Sequence, residues 1–299
     1  FYAESGGQIS DKGIIVGKDF KADILNSKKI TVGNGKIIFV STIKIESGKI
    51  TVGDIITQVI DLDFRKQICS HHSATHLLHE ALRQKLGLHI AQKGSLFTNE
   101  KLRFDFSHQK PISSELIKEI EEEVNYRIFC NDKVTTKVMS PDKAIEKGAI
   151  ALFGEKYGDE VRVVSIGKST DNEREAWSVE LCGGTHVKNT SEISTFKILS
   201  ETGVSSGVRR IEALTNIAAI NYYNNEIDKI RYISSSLKTN STQVTKKIEQ
   251  LVSENQKMNK ELKLLKNKSH LNYDNNLTKE TLNGIVFEYK IYDDLVVKE

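Results

Sequence analysis

Residues 71–87 read HHSATHLLHEALRQKLG, and far downstream residues 182–186 read CGGTH. In the first stretch apolar residues recur at three and four, so the spacing predicts an amphipathic helix from His72 to about Gly87, with His72 and His76 on one face. In the second, Cys182 and His186 flank a Gly-Gly-Thr turn. Its glycines can adopt backbone angles closed to other residues and so fold a thiolate and an imidazole toward one point. Three imidazoles and one thiolate suit Zn²⁺, which takes tetrahedral mixed N/S coordination. Four histidines (His71, His72, His76 and His79) crowd the helix, and alone they could equally be a polar face or hydrogen-bonded core imidazoles. A second motif from a distant segment favours a metal. Spacing leaves the helical ligand pair open, because His72, His76 and His79 fall at i, i+4 and i+7.

A chain of 299 residues can form two or three compact units, each with its own core. With 38% apolar and 28% charged residues and a net charge of +3, composition does not declare a nucleic-acid binder. No run of about eighteen apolar residues or signal-like opening is present, so no membrane association and a cytoplasmic location are expected. Cys69, Cys130 and Cys182 make an odd count without framework spacing, which fits a reducing compartment. The chain opens at Phe1 in structured-looking sequence, and a portion of something longer is expected.

Short β-branched runs broken by Gly-Asn-Gly and Ser-Gly-Lys between Gly13 and about Phe64 predict hairpins forming a small sheet or barrel. After the histidine helix come a β segment through HIAQKGSLFTNEKLRFDF and a helix, SSELIKEIEEEVNYRIFCN, capped by Ser113 or Ser114. A short helix near PDKAIEKGA follows, then strands around Arg162–Ile166 and Trp177–Leu181, then ISTFKILSETG and GVRRIEALT. A two-layer α+β core fits this order better than repeated βαβ units. Beyond Thr215, apolar residues from Ile220 to Leu237 and from Val244 to Leu265 keep a heptad rhythm, with Asn255 as a polar interruption. They read as a coiled coil or, preferably, as a helical hairpin breaking at Lys238–Thr242. The expected class is therefore α+β: a barrel over 1–66, a zinc-binding core over 67–216, a helical hairpin or coiled coil over 217–270, and a truncated domain of strand-like alternation over 271–299.

FYAESGGQISDKG, the two metal motifs, AQKGSL, LRFDFSH, ALFGEKYGD and GVRRIEALT occur here together and in order. On these strings the sequence resembles the editing portion of the alanyl-tRNA synthetase family from Phe1 to about Thr215, and more weakly through the helical region. The resemblance implies that His72, His76, Cys182 and His186 hold one zinc ion in an editing pocket, and that Gln92, Gly94 and Ser95 line it. It implies hydrolysis of the ester in tRNA(Ala) mischarged with serine or glycine. ATP and Mg²⁺ would serve only an aminoacylation core, expected ahead of Phe1. A pocket shaped for alanine rejects serine only weakly, so a second sieve is needed. Thr75, Gln92 and Ser95 are the polar side chains expected to meet the serine hydroxyl or the reacting ester.

Glu180 and Asp105 are candidate bases, although structural carboxylates are the plainer reading. Lys93, Lys101, Arg103, Lys156 and above all Arg209 and Arg210 are candidates for contacting tRNA phosphates. Phe97, Phe104 and Phe106 either stack on the terminal adenosine or belong to the core. Rival readings are a free-standing deacylase acting in trans and a non-catalytic zinc-stabilised module for RNA binding or dimerisation, with a homodimer formed through the C-terminal region.

Overall fold

The structure, a computed structural model, describes residues 1–150, 158–168, 176–272 and 278–289. In chain order these form β1 (Gly13–Gly17), β2 (Phe20–Val32), β3 (Lys36–Gly48), β4 (Thr57–Ile60), α1 (Leu62–Leu86), β5 (Gln92–Phe97), β6 (Leu102–Ser107) and α2 (Ser114–Phe129). Then come β7 (Val134–Met139), α3 (Pro141–Glu146), β8 (Val161–Ile166), β9 (Ser178–Leu181), β10 (Phe196–Ser205) and β11 (Val208–Thr215). The last elements are α4 (Asn216–Ser236), α5 (Val244–Asn272), β12 (Thr278–Leu282) and β13 (Ile285–Tyr289). Contacts divide the chain into two compact units, Phe1–Asn225 and Glu226–Glu299.

The first four strands form an open antiparallel sheet in the order β3-β2-β1-β4, which corrects the expected barrel. The cause lies in strand length. β2 and β3 run 13 residues each, whereas β1 has 5 and β4 has 4, so the far half of the long hairpin has no third strand to close against. Four strands are also too few to tilt around a filled interior. Ile15, Phe20, Ala22 and Ile24 form a small core on one face, while Ile37 and Phe39 on the far half stay exposed.

The site rests on the next layer. α1 begins ten residues earlier than the periodicity suggests, because Asp61 accepts a hydrogen bond from the Phe64 amide and caps it there. It ends at Gly87, whose φ of 113° suits a residue without Cβ. Every residue from Ile68 to Leu82 is buried, because α2 and two sheets pack around the helix. A helix enclosed on all sides must find an internal partner for each polar side chain, and this dictates the chemistry described below. One sheet is β10-β11-β6-β5, the other β7-β8-β9, both antiparallel. Phe97, Phe104 and Phe106 are no more than 2% exposed and pack with Leu77, Leu78, Ile120 and Val124, so these rings are core rather than stacking platforms for a base.

In the second unit the helical run breaks where propensity drops. Lys238 takes a φ of 48°, Asn240 caps the next turn, and α5 resumes at Val244. The expected seam residues Ile227, Ile230, Ile248, Leu251, Met258 and Leu262 are all exposed in the single chain. β12 and β13 pair antiparallel through Asn283-Gly284, both with positive φ as a tight hairpin turn requires.

A candidate metal centre at the floor of a polar cavity

α1 and the turn after β9 bring one donor atom each from His72, His76, Cys182 and His186 within 4.8 Å of one another. The Cys182 Sγ lies 3.3 Å from His72 Nε2 and 3.2 Å from His186 Nε2. Each imidazole is held from behind. His72 Nδ1 is 2.9 Å from Gln8 Oε1, His76 Nδ1 is 2.9 Å from Glu180 Oε2, and His186 Nδ1 is 3.1 Å from Ser73 Oγ. With Nδ1 engaged outward, all three rings turn Nε2 toward the thiolate, as metal-ligating histidines do. His76 Nε2 is buried and has no hydrogen-bond partner, an orphan that a cation at the centre would satisfy. His79 stands one turn further along and leans on the other oxygen of Glu180, 3.1 Å away, outside the donor group.

Charge in the cluster follows from this packing. Burial opposes ionisation of Cys182, but the imidazoles of His72 and His76 and a hydrogen bond from His186 draw its pKa down to about 2. Burial also works against Glu180, yet His76 and His79 hold its carboxyl well below the usual range. Burial and the neighbouring His72 push His186 down to about 3. For His76 burial is overcome by Glu180 and Cys182, and its pKa rises to about 10. A thiolate and a carboxylate on either side of His76 thus call for positive charge at the centre, whether from a proton or from a metal ion. The donor set of one thiolate and three imidazoles suits zinc.

The Gly-Gly turn works differently from the sequence expectation. Neither Gly183 nor Gly184 has a left-handed backbone. Gly184 is required by space, since a Cβ there would lie 2.0 Å from His72 Cε1 and 2.9 Å from Gln8 Oε1, whereas Gly183 faces open space. Arg162 fastens the turn by donating to the carbonyls of Cys182 and Gly184 at 2.7 and 2.8 Å.

Above the cluster opens a cavity of about 420 Å³, lined by His72, His76 and Cys182 at its base. Thr75, Gln92, Gly94, Ser95, Tyr2 and Gly7 are among its other walls. Thr75 donates its hydroxyl hydrogen to the His71 carbonyl at 3.0 Å, so its oxygen can act toward the cavity only as an acceptor. Gln92 Nε2 reaches Ser95 Oγ at 3.4 Å.

Residues 161–212 match the family model described as the threonyl and alanyl tRNA synthetase second additional domain, and residues 1–64 match that of the class II (A) tRNA synthetases. Over 264 residues, 88% of this chain, the sequence is 46% identical to the alanine–tRNA ligase of Chelativorans sp. (strain BNC1). The chain belongs with the alanyl-tRNA synthetases. It spans 29% of that relative's length. The second-domain match carries Cys182 and His186, and the class II match carries Gln8. The helical histidines lie between the two.

Several other residues singled out in the sequence have structural partners. Arg210 forms a two-pronged ion pair with Asp105, at 2.7 and 2.8 Å, and Arg209 forms another with Glu201. Lys101 pairs with Glu212 at 2.7 Å, and Arg103 lies 3.9 Å from Asp105. These cations are therefore largely neutralised, whereas Lys93 on β5 is exposed and has no ion pair among the described residues. Lys156 and most of ALFGEKYGD lie outside the described residues. Glu180 and Asp105 are both committed to cationic or imidazole partners, which suits structural carboxylates rather than bases. Sequence reasoning missed Gln8, Ser73 and Arg162. Gln8 lies within FYAESGGQ, a string that marks the family without revealing a role for its glutamine. Among the described residues no helix is long and apolar enough to cross a membrane.

Proposed function

We propose that the cavity is an editing site in which His72, His76, Cys182 and His186 hold one zinc ion, and that it accepts the aminoacylated 3′ end of tRNA(Ala). The reaction is hydrolysis of the ester that links a wrong amino acid, serine or glycine, to the terminal ribose. The observation that carries this reading is the convergence of four zinc-type donors at the base of a polar cavity open to solvent. A zinc ion bound there would supply positive charge at the cavity floor, and Lewis acidity only if one of the four donors gave up its position. Four protein donors close a tetrahedral site, so orientation of the aminoacyl group is the role this geometry favours.

The chain's own residues supply the selectivity. Thr75 Oγ accepts a hydrogen bond from a serine hydroxyl, whereas alanine leaves that acceptor unpaired. Gln92 and Ser95, linked to each other, form the opposite wall and position the ester. Glu180 keeps His76 in place, and Gly94 brings the backbone of β5 close to the bound group. Lys93 faces solvent beside this wall and suits a phosphate of the incoming strand. The exposed apolar seams of the two long helices suit a second copy of the chain.

The test is deacylation of serine-, glycine- and alanine-charged tRNA(Ala) by the purified, zinc-loaded chain. The expected result is turnover of the serine ester with alanine largely spared, the glycine ester being read alongside them. Equal rates on serine and alanine, or no turnover at all, would overturn the proposal.

A further inference from the structure

Gln8 is completely buried, although it belongs to the irregular segment ahead of β1 and is far in sequence from the metal motifs. Its side chain makes three hydrogen bonds, all into the candidate centre. Oε1 accepts from the Thr185 backbone N–H at 2.9 Å and contacts His72 Nδ1 at 2.9 Å, while Nε2 donates to Thr185 Oγ1 at 2.8 Å. A backbone N–H can only donate, so the atom facing Thr185 N must be the carbonyl oxygen of the amide. That oxygen carries no hydrogen, so His72 Nδ1 must carry one. The lone pair of His72 is thereby fixed on Nε2, the nitrogen 3.3 Å from Cys182 Sγ. The same oxygen ties the helical half of the donor set to the Cys182–His186 turn, and Thr185 Oγ1 is further held by the Cys69 thiol at 3.2 Å.

We infer that Gln8 is a positioning residue for the metal: it fixes the His72 tautomer and registers the two halves of the donor set, so that metal affinity depends on the N-terminal segment. The segment is itself anchored next to the cavity. Gly7 O accepts from Phe97 N at 2.8 Å, Ile9 N donates to Phe97 O at 3.2 Å, and Asp11 pairs with Arg65 of α1. Outer hydrogen-bond partners of this kind typically contribute about 10–100-fold to metal affinity. The inference rests on the metal assignment made above, and the experiment separates the two.

The experiment compares the wild-type chain with Gln8→Met and Gln8→Glu by zinc titration against a chelating dye, by the visible spectrum of the Co²⁺-loaded protein, and by thermal melting without metal. Met keeps the volume but offers His72 no acceptor. Glu keeps the acceptor facing His72, replaces the Nε2 donor with a second oxygen and adds a negative charge. The expected result is about a 10–100-fold loss of zinc affinity in Gln8→Met and substantial recovery in Gln8→Glu. If wild type fails to bind one equivalent of zinc, the metal assignment itself fails. If wild type binds but Gln8→Met binds equally well, the inference about Gln8 is overturned. Equal weakening in both variants, tracking equal loss of melting temperature, would also overturn it by showing a purely structural amide. Should Gln8→Met fail to fold, the ¹⁵N shifts of the His72 ring in wild type decide: a protonated Nδ1 supports the inference, and a protonated Nε2 in the metal-free protein overturns it.

Discussion

Replacing Gly184 with alanine tests the geometry of the centre without touching a donor atom. The added Cβ would lie 2.0 Å from His72 Cε1 and 2.4 Å from His72 Nδ1, where ordinary contact begins near 3.4 Å. His72 has no room to retreat, because its ring stacks on Phe97 at 4.0 Å between centroids and its Nδ1 is bound to Gln8. The turn cannot easily move either, since Arg162 holds the Cys182 and Gly184 carbonyls. Overpacking of this kind costs about 1–3 kcal/mol. Displacing the ring should also weaken metal binding by at least the 10–100-fold that loss of an outer partner typically causes. Gly183→Ala is the internal control, because its Cβ would meet nothing within 4 Å and should change stability by no more than about 0.5 kcal/mol. Thermal unfolding of metal-free protein and competitive zinc titration read the two effects separately. If Gly184→Ala melts with wild type and binds zinc as tightly, the packing of His72 against the turn is wrong.

Other substitutions probe different links. Glu180→Gln removes the carboxylate behind His76 and should weaken zinc by about 10–100-fold in the same titration. Thr75→Val keeps the shape of the cavity wall but deletes its acceptor, so the preference for serine over alanine should fall by about 1 kcal/mol, roughly five-fold, in parallel deacylation assays. His71 lies wholly inside the fold, with Nδ1 donating to the Thr98 carbonyl at 2.8 Å and Nε2 accepting from Thr215 N at 3.1 Å. His71→Ala orphans both backbone groups and should destabilise by about 2–4 kcal/mol in denaturant unfolding. Lys93→Gln should flatten the salt dependence of RNA binding by roughly 0.7 in log–log slope, whereas Arg210→Gln, with its charge already paired to Asp105, should flatten it less.

Local periodicity carries much of this fold because it is a short-range property. The three-and-four spacing of HHSATHLLHEALRQKLG marks α1, Ser113 marks the start of α2, and the polar stretch 238–242 marks the break between α4 and α5. What periodicity lacks is any account of which strands become neighbours. Hairpin signals between Gly13 and Phe64 suit an open sheet as well as a barrel, and the choice is made by the unequal lengths of β2, β3, β1 and β4. The same limit holds at the site. Spacing treats His72 and His79 alike, and they are distinguished only by Gln8 and Glu180, which arrive from distant segments. Arg209 and Arg210 read as a basic pair in sequence because Glu201 and Asp105, their partners, come from neighbouring strands. Phe97, Phe104 and Phe106 lose their apparent availability once α1 and α2 cover the sheet. The Gly-Gly turn signals a special conformation, but the constraint on Gly184 is the closeness of His72, which no local pattern encodes.

X-ray absorption at the zinc edge of the metal-loaded chain tests the central claim most directly. The account predicts a four-coordinate shell with one sulfur near 2.3 Å and three nitrogens at about 2.0–2.1 Å. A shell without sulfur, or one left unchanged in Cys182→Ser, would contradict it.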